Sequence, residues 1–206
     1  METITPHIKA IIFDLDGTII QSNDHYDRAI EQVLKAYGIA SFSPEQEQVL
    51  RDLRGASNLT SAIALKNVFS LNASIDTINK EIQEQSNALF SFDHTPFIPG
   101  FEDFHRLITS HNIKNGIATN ADDLALSFLS ERHNLPGFFG THIYNFTKVN
   151  NTPKPAPDIF LYTAEKLGCQ PSQCIVFEDS LHGFNAAREA GMRCIAIKNN
   201  RNAPFL

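Results

Sequence analysis

IKAIIFDLDGTII, at residues 8–20, predicts the first strand of a sheet and an acidic pair directly behind it. The first six residues are mostly apolar and β-branched, as in a buried strand. Because ionised carboxylates are costly to bury without a partner, we expect Asp14 and Asp16 at the carboxyl end of this strand, facing a cation or a reacting group. Gly17 and Thr18 turn the chain there. An ordinary Asp-Gly turn has the same pattern, so this segment alone leaves the function open.

The composition predicts a globular protein with a substantial core. The chain has 206 residues, of which 42% are hydrophobic and 19% charged, which fits one domain or one domain with a smaller one inserted. The formal net charge is −6. Lys and Arg form no cluster, so binding to nucleic acid or to an anionic membrane has no electrostatic basis. We therefore expect no nucleic-acid and no membrane partner.

The sequence also predicts a cytoplasmic location. The longest apolar stretch is broken at Asp14 and is far shorter than the roughly 20 residues needed to span a bilayer. The N-terminal METITPHIK lacks a basic start followed by an apolar segment and a cleavage site. Cys169, Cys174 and Cys194 are odd in number and show no CxxC spacing, which favours free thiols in a reducing compartment over a disulfide or a metal site.

Residues 22–95 carry a helical pattern with no strand between the helices. Apolar residues recur there at three- and four-residue steps in four segments, which begin near Asn23, Pro44, Ser57 and Ser74. A proline suits the first helical position, and prolines after the last segment end it. We therefore predict an all-helical block of four helices.

After this block, helices alternate with short apolar strands. The strands are predicted to end near residue 120 and to cover residues 142–146, 174–177 and 194–197. This alternation is typical of a parallel sheet covered on both faces. We predict an α/β fold, with a Rossmann-like parallel-sheet core domain at residues 1–21 and 96–206 and an inserted all-helical cap domain at residues 22–95.

Polar side chains follow several of these strands, and ligands bind beyond the carboxyl ends of strands in an open parallel sheet. The residues concerned are Asp14, Asp16, Thr18, Thr119, Asn120, Lys154, Glu178 and Asp179. Two carboxylates 4 Å apart repel by about 4 kcal/mol at an effective dielectric near 20, so several of them in one crevice need a cation. Oxygen ligands without His or Cys favour Mg²⁺, which also binds substrate phosphate. We therefore predict a magnesium-dependent enzyme that acts on phosphate.

Each of these residues has a simpler interpretation when it is taken alone. Lys154 resembles a solvated loop lysine, and Thr119 with Asn120 resembles a helix cap. Glu178 and Asp179 resemble an acidic first turn of a helix, which the helix dipole favours. In combination with Asp14 and Asp16, a site for phosphate transfer is the better interpretation.

Four segments in order resemble the motifs of the haloacid dehalogenase-like phosphatases. They are IFDLDGT, the pair Thr119 and Asn120, KPAPDIF and VFEDSLHGFNAAREAGM. The branch most resembled contains β-phosphoglucomutase, phosphoglycolate phosphatase and the sugar-phosphate phosphatases. The resemblance covers nearly the whole chain, and the helical block matches the cap domain of that branch. A dehalogenase of the same fold needs no second aspartate and no magnesium, so Asp16 argues against that activity.

The resemblance implies a role for each motif residue. Asp14 is implied as the nucleophile that forms an aspartyl-phosphate, Asp16 as the general acid and base, and Lys154 as the group that neutralises developing charge. Thr18, Thr119 and Asn120 are implied to bind the phosphoryl oxygens. The implied Mg²⁺ ligands are a carboxylate oxygen of Asp14, the backbone carbonyl of Asp16, Asp179, and Glu178 either directly or through water.

The substrate is expected to be a small phosphate ester, with a cap that closes over it. Within LRGASNLTS, residues 53–61, Arg54 is a candidate to bind an anionic or hydroxylated substrate, although a solvated helix-end arginine is an equal alternative. Phosphomutases of this branch carry a basic residue where this chain has Asn58, which favours a phosphatase over a mutase. A non-enzymatic relative is the third alternative. We expect a monomer or a weak oligomer.

Overall fold

Five parallel strands form one sheet in the described part of the chain. The structure is a computed structural model and describes residues 7–92 and 95–197. The strands are β1 (Ala10–Phe13), β2 (Lys114–Thr119), β3 (Ile143–Asn145), β4 (Cys174–Glu178) and β5 (Arg193–Ala196). Their order is β3-β2-β1-β4-β5, and every neighbouring pair is parallel. The predicted α/β fold with a parallel Rossmann-like sheet is confirmed.

The described residues also form nine α-helices and two short 3-10 helices. The α-helices are α1 (Asn23–Ala36), α2 (Pro44–Asp52), α3 (Asn58–Val68), α4 (Ile75–Phe92), α5 (Phe101–Ser110), α6 (Asp123–Arg132), α7 (Leu135–Phe139), α8 (Asp158–Lys166) and α9 (Leu181–Glu189). The 3-10 helices are Phe146–Val149 and Pro171–Gln173.

The central strand β1 is buried on both faces because its side chains alternate between two apolar clusters. Ala10 and Ile12 belong to a cluster that includes side chains of α8 and α9. Ile11 and Phe13 belong to a cluster on the opposite face, which includes side chains of α5, α6 and α7. Burial on both faces explains why the strand is a continuous apolar run rather than an alternating one.

Helices α1 to α4, the first four of the five helices between β1 and β2, pack around a third apolar cluster of their own. Its buried members include Leu34, Leu65 and Ile78, which come from α1, α3 and α4. Side chains of Ser43 and Ser57 accept hydrogen bonds from the backbone at the starts of α2 and α3, as expected for N-caps. The division into a cap of residues 22–95 and a core stays a prediction, and residues 93–94 at its second boundary lie outside the described residues.

Two features differ from the sequence-based expectation. Strand β1 begins at Ala10 instead of Ile8, and α7 was not predicted. Its sequence LPGFF contains Pro and Gly, which usually indicate a turn. The proline lies in the first turn of α7, where its missing N–H costs nothing, and Leu135 and Phe139 are buried against the sheet. Burial of these apolar side chains therefore stabilises the helix even though Pro and Gly have a low helix propensity.

The described residues contain no helix with both the length and the apolar composition that crossing a bilayer requires. Cys169, Cys174 and Cys194 are free thiols. Burial raises the pKa of the Cys174 thiol to about 11, so this thiol stays protonated and unreactive near neutral pH. The cytoplasmic location stays a prediction.

The apolar cluster of the four-helix block predicts a clear difference between two leucines of α3. Leu65 is fully buried, whereas 49% of Leu59 is exposed. Leu65→Ala is expected to lower the free energy of unfolding by about 2–5 kcal/mol, because it leaves a cavity in the cluster. Leu59→Ala, the matched control, should change it by less than about 0.5 kcal/mol. Urea denaturation followed by circular dichroism measures both, and equal effects would contradict the packing described.

Candidate active site

The first acidic residue of the site is fixed by the pairing of β1 with β4. Phe13 lies opposite Phe177 in the parallel register, and the backbone N–H of Asp14 donates to the carbonyl of Phe177 over 3.0 Å. Asp14 and Glu178 therefore leave neighbouring strands at the same level. Both side chains are buried, with 6% of Asp14 and 2% of Glu178 exposed.

Lys154 lies between these two carboxylates and pairs with both. Its Nζ is 2.7 Å from Oδ1 of Asp14 and 2.8 Å from Oε1 of Glu178. Only 1% of Lys154 is exposed, and its Nζ lies 4.7 Å from the centroid of the Phe160 ring. A lysine this deeply buried stays charged only because both of its partners are carboxylates. The solvated loop lysine, the simpler interpretation of this residue, does not describe its position.

The electrostatics of this group are dominated by burial and by like charge. Burial raises the pKa of Asp14 well above its usual range, the neighbouring Glu178 adds to the rise, and Lys154 opposes it. Burial also opposes the charge of Lys154, but Asp14 and Glu178 outweigh it and raise the pKa of the lysine. One lysine does not balance all the acidic groups here, so the site favours a further cation.

Asp16 occupies a separate position two residues beyond Asp14. The Ser22 hydroxyl donates to its Oδ1 over 2.6 Å, and the Thr119 hydroxyl approaches Oδ2 at 3.5 Å. Burial raises the pKa of Asp16 to about 6, although the hydrogen bonds from Ser22 and Thr119 and the charge of Lys154 act in the opposite direction. Asp16 is therefore poised to take up or release a proton near neutral pH, as a general acid and base must.

Asp179 completes a group of oxygen donors that could hold a metal ion. One carboxylate oxygen from each of Asp14, Glu178 and Asp179 lies within 4.8 Å of the others. Asn23 donates to Oδ2 of Asp179 over 2.7 Å. Gly17 has a φ of +82°, and a Cβ on it would overlap the Asp179 carboxylate, so the turn brings its backbone directly against this group. Hard oxygen donors with an excess of negative charge fit Mg²⁺.

Glu178 is held more firmly than the other acidic residues. Its Oε1 accepts from Lys154, and its Oε2 accepts from the backbone N–H and the hydroxyl of Ser180 over 2.7 and 2.9 Å. A Cβ on Gly183 would overlap the same carboxylate. Since protein donors contact both oxygens, contact between Glu178 and a metal through water fits this arrangement better than direct ligation.

The helical block closes the site from the other side and leaves a cavity of ≈ 50 Å³. Asp14, Asp16, Thr119 and Asn120 line this cavity from the sheet, and Arg54 lines it from the helical block. The predicted site residues Thr18, Lys154, Glu178 and Asp179 are not among the described residues that line it. Lys154 pairs with Asp14 and Glu178, and Asp179 has a carboxylate oxygen within 4.8 Å of theirs. The hydroxyl of Thr18 is buried and has no hydrogen-bond partner among the described residues.

Arg54 does not face the cavity as an isolated charge. Its Nη2 lies 3.1 Å from Oδ2 of Asp27 on α1, and both residues line the cavity wall. Arg54 is therefore held by α1 at the end of α2, where it can contact a ligand in the cavity.

The side chain of Asn120 joins the helical block to the loop of Lys154. Its Nδ2 donates to the carbonyls of Gly55 and Lys154 over 2.8 and 3.2 Å, and its Oδ1 accepts from the backbone N–H of Lys154 over 2.9 Å. Both amide hydrogens thus have protein acceptors. The predicted hydrogen bonds from Thr18, Thr119 and Asn120 to a phosphoryl group stay predictions.

Sequence reasoning missed several residues that shape the site. Ser22 donates a hydrogen bond to Asp16, and Asn23 donates one to Asp179. Asp122 caps α6 and also accepts from Asn58 over 3.2 Å and from Gln83 over 2.8 Å, which links the helical block to the core. Ser22 and Asn23 lie only five and six residues beyond Gly17 of the DLDG turn, so closeness in sequence was an available signal. Nothing in the sequence pairs Asp122 with Gln83.

The chain is similar in sequence to two phosphatases and in structure to a phosphomutase. A phosphorylated carbohydrates phosphatase of Thermotoga maritima is 27% identical over 188 residues, which cover 91% of this chain and 84% of that protein. The fructose-1-phosphate phosphatase YqaB of Escherichia coli is 28% identical over 191 residues, which cover 91% of this chain and 95% of that protein. A crystal structure of β-phosphoglucomutase from Clostridium difficile is 26% identical, with a TM-score of 0.74, and the match covers 96% of this chain and 87% of that one.

A family model described as haloacid dehalogenase-like hydrolase matches residues 11–197. This range includes all the described acidic residues of the site, from Asp14 to Asp179, and helices α1 to α4 of the helical block. The resemblance that the sequence motifs indicated is confirmed: the chain belongs to the haloacid dehalogenase-like hydrolases.

Proposed function

We propose that this chain is a Mg²⁺-dependent phosphatase that hydrolyses a small phosphorylated metabolite through an aspartyl-phosphate on Asp14. The broader class, a phosphoric monoester hydrolase, follows from the family and from relatives named as phosphatases. The observation that carries the finer proposal is that Asp14 and Asp16 line the same cavity but have different environments. Asp14 is paired with a buried lysine, and Asp16 has a pKa of about 6.

Asp14 is positioned to act as the nucleophile. Its Oδ1 is fixed by Lys154, and its backbone is fixed by the carbonyl of Phe177. A fixed carboxylate can attack phosphorus without first losing rotational freedom. The positive charge of Lys154 next to it stabilises the negative charge that gathers on the transferring group.

Asp16 is positioned to act as the general acid and then the general base. Because burial raises its pKa to about 6, it can carry a proton to the leaving oxygen near neutral pH and afterwards accept one from the attacking water. The hydrogen bond from Ser22 fixes one of its oxygens. The second oxygen has a long contact of 3.5 Å with the Thr119 hydroxyl.

The proposed metal site consists of Asp14, Asp179 and the backbone carbonyl of Asp16, with Glu178 acting through water. The observation that supports it is the set of three carboxylate oxygens within 4.8 Å, which a single lysine does not neutralise. When bound, Mg²⁺ would supply positive charge to the oxygens of the phosphate group. Asn23 keeps the Asp179 carboxylate oriented toward Asp14 and Glu178.

The substrate is proposed to be small because the closed cavity is small. At ≈ 50 Å³ it holds only a few waters, since one water needs about 10–15 Å³ of such a cavity. A sugar phosphate or phosphoglycolate, the substrate types that the sequence resemblance implies, is of suitable size once the cap opens to admit it. We expect a cytoplasmic enzyme that is a monomer or a weak oligomer.

A phosphomutase is the second candidate, favoured by the similarity to β-phosphoglucomutase. A phosphomutase requires a group that binds the second phosphate of its substrate. Asn58, where those mutases carry a basic residue, offers an amide that already donates to Asp122. A screen of phosphorylated metabolites with Mg²⁺ distinguishes the two, because a phosphatase releases inorganic phosphate and a mutase returns an isomerised sugar phosphate.

The roles of the two aspartates predict distinct losses of activity. Asp14→Asn is expected to abolish phosphate release, because an amide is not a nucleophile of comparable strength. Asp16→Ala is expected to lower kcat by about 10²–10⁴-fold, the usual contribution of general acid-base catalysis. Phosphate release by the purified variants measures both. Asp76→Asn, at an exposed residue on α4, is the matched control and should remain fully active. Undiminished turnover in either variant would contradict the proposed mechanism.

The metal site predicts a dependence on added Mg²⁺. Treatment with a chelator is expected to remove activity, and Mg²⁺ is expected to restore it. Asp179→Asn should raise the Mg²⁺ concentration needed for half-maximal activity by at least about 10-fold, because it removes a charged ligand. Titration of each variant with Mg²⁺ gives this value. Full activity after complete chelation would contradict the proposed cofactor.

Arg54 predicts a change of specificity without a change of chemistry. Arg54→Ala is expected to alter the relative kcat/KM values on different metabolites while the rate on a small artificial phosphate ester stays nearly unchanged. Arg51→Ala, an arginine on the preceding turn that pairs with Glu47 at 3.5 Å, is the matched control. A uniform loss on all substrates would instead assign Arg54 to the stability of the cap, through its ion pair with Asp27.

A further inference from the structure

Tyr26 has a polar group that neither the fold nor the proposed chemistry uses. The residue lies on α1 and lines the cavity together with Asp14 and Asp16. Its ring packs edge-on against Phe90, with centroids 5.3 Å apart and planes at 73°. Its hydroxyl is screened from solvent, and none of its contacts with the described residues meets hydrogen-bond criteria.

A buried hydroxyl without a partner is costly. Leaving such a group unsatisfied costs about 1–3 kcal/mol, and folded proteins rarely contain one without a reason. Phe90 packs against the ring and restricts its movement. For comparison, the Tyr37 hydroxyl at the end of the same helix donates to Glu81 over 2.8 Å. An unpaired hydroxyl at the wall of a cavity therefore suggests that a ligand supplies the partner.

The surroundings of Tyr26 indicate what kind of partner fits. Burial raises the pKa of the Tyr26 hydroxyl well above its usual range, and the charges of Asp16, Asp122 and Asp14 add to the rise. The hydroxyl thus keeps its proton and offers a neutral donor.

The rest of this wall offers little that would attract a second charged group of the substrate. Ile30, Leu53 and Ile82 line it with apolar surface, and the charge of Arg54 is balanced by Asp27. A neutral oxygen therefore suits this part of the cavity better than a second phosphate or a carboxylate.

We propose that the Tyr26 hydroxyl donates a hydrogen bond to a hydroxyl oxygen on the leaving group, so that the enzyme selects phosphate esters of sugars and polyols over esters of simple alcohols. This inference rests on the proposed phosphatase function and adds a residue that binds the leaving group and selects for its hydroxyl. A site built to pair with a substrate hydroxyl discriminates strongly against the analogue that lacks it, because the protein group is then left buried and unpaired.

The test compares Tyr26→Phe with the wild-type enzyme on matched pairs of substrates. Each pair is a sugar or polyol phosphate and an analogue that lacks one hydroxyl, such as glycerol 3-phosphate with its 2-deoxy analogue. The wild-type enzyme should prefer the hydroxylated member of at least one pair by about tenfold or more in kcat/KM. Tyr26→Phe should lose this preference by slowing the hydroxylated member, with little change on the deoxy member. Tyr37→Phe is the control and should keep the preference.

Thermal unfolding separates this role from a structural one. Removal of an unpaired hydroxyl should leave the melting temperature of Tyr26→Phe unchanged or raise it. A lowered melting temperature together with equal losses on both members of every pair would overturn the inference while the phosphatase function stands. Preserved discrimination in Tyr26→Phe would overturn it as well. Failure of the wild-type enzyme to release phosphate from any ester would overturn the proposed function, and this inference with it.

Discussion

The structure depends on the charge balance around Lys154. Three carboxylates meet at the ends of β1 and β4, and the lysine pairs with two of them at 2.7 and 2.8 Å. Removing these groups from water costs several kcal/mol each, so they are stable there only as a mutually paired set. The parallel register of β1 and β4 places Asp14 and Glu178 side by side, so the backbone needs no further distortion to bring them together. The site is therefore a consequence of how the sheet is paired.

The inserted helices form the wall of the cavity opposite the sheet. They contact the core through polar groups, since Asn58 and Gln83 donate to Asp122 and His182 Nε2 lies 3.0 Å from the carbonyl of Asp52. Phe90 of α4 adds an apolar contact, because it is buried in the cluster that contains Phe13. Hydrogen bonds of this kind contribute about 1 kcal/mol each and exchange readily with water. Apolar packing at Phe90 and these polar contacts together set how the helical block meets the core.

Most of the fold and the inner part of the site could be predicted from the sequence, because both depend on local patterns. Apolar runs that end in polar residues marked the strand ends, and parallel pairing then brought Asp14, Lys154 and Glu178 together across 164 residues of chain. The contacts between the helical block and the core could not be predicted in the same way. The pairing of Gln83 with Asp122 depends on the angle at which α4 meets α6, which no periodicity encodes. The helix LPGFF was likewise decided by burial in the tertiary structure.

Asn120 illustrates how one residue type can satisfy both a local and a distant requirement. Its pattern in the sequence equally suits a helix cap or a phosphate ligand, yet the amide binds the backbone of Lys154 at both ends and reaches Gly55 in the helical block. Because its amide hydrogens go to the carbonyls of Gly55 and Lys154, this one side chain joins the helical block directly to the backbone of the lysine loop. The position of that loop therefore depends on a residue of the second strand end and on contact with the helical block.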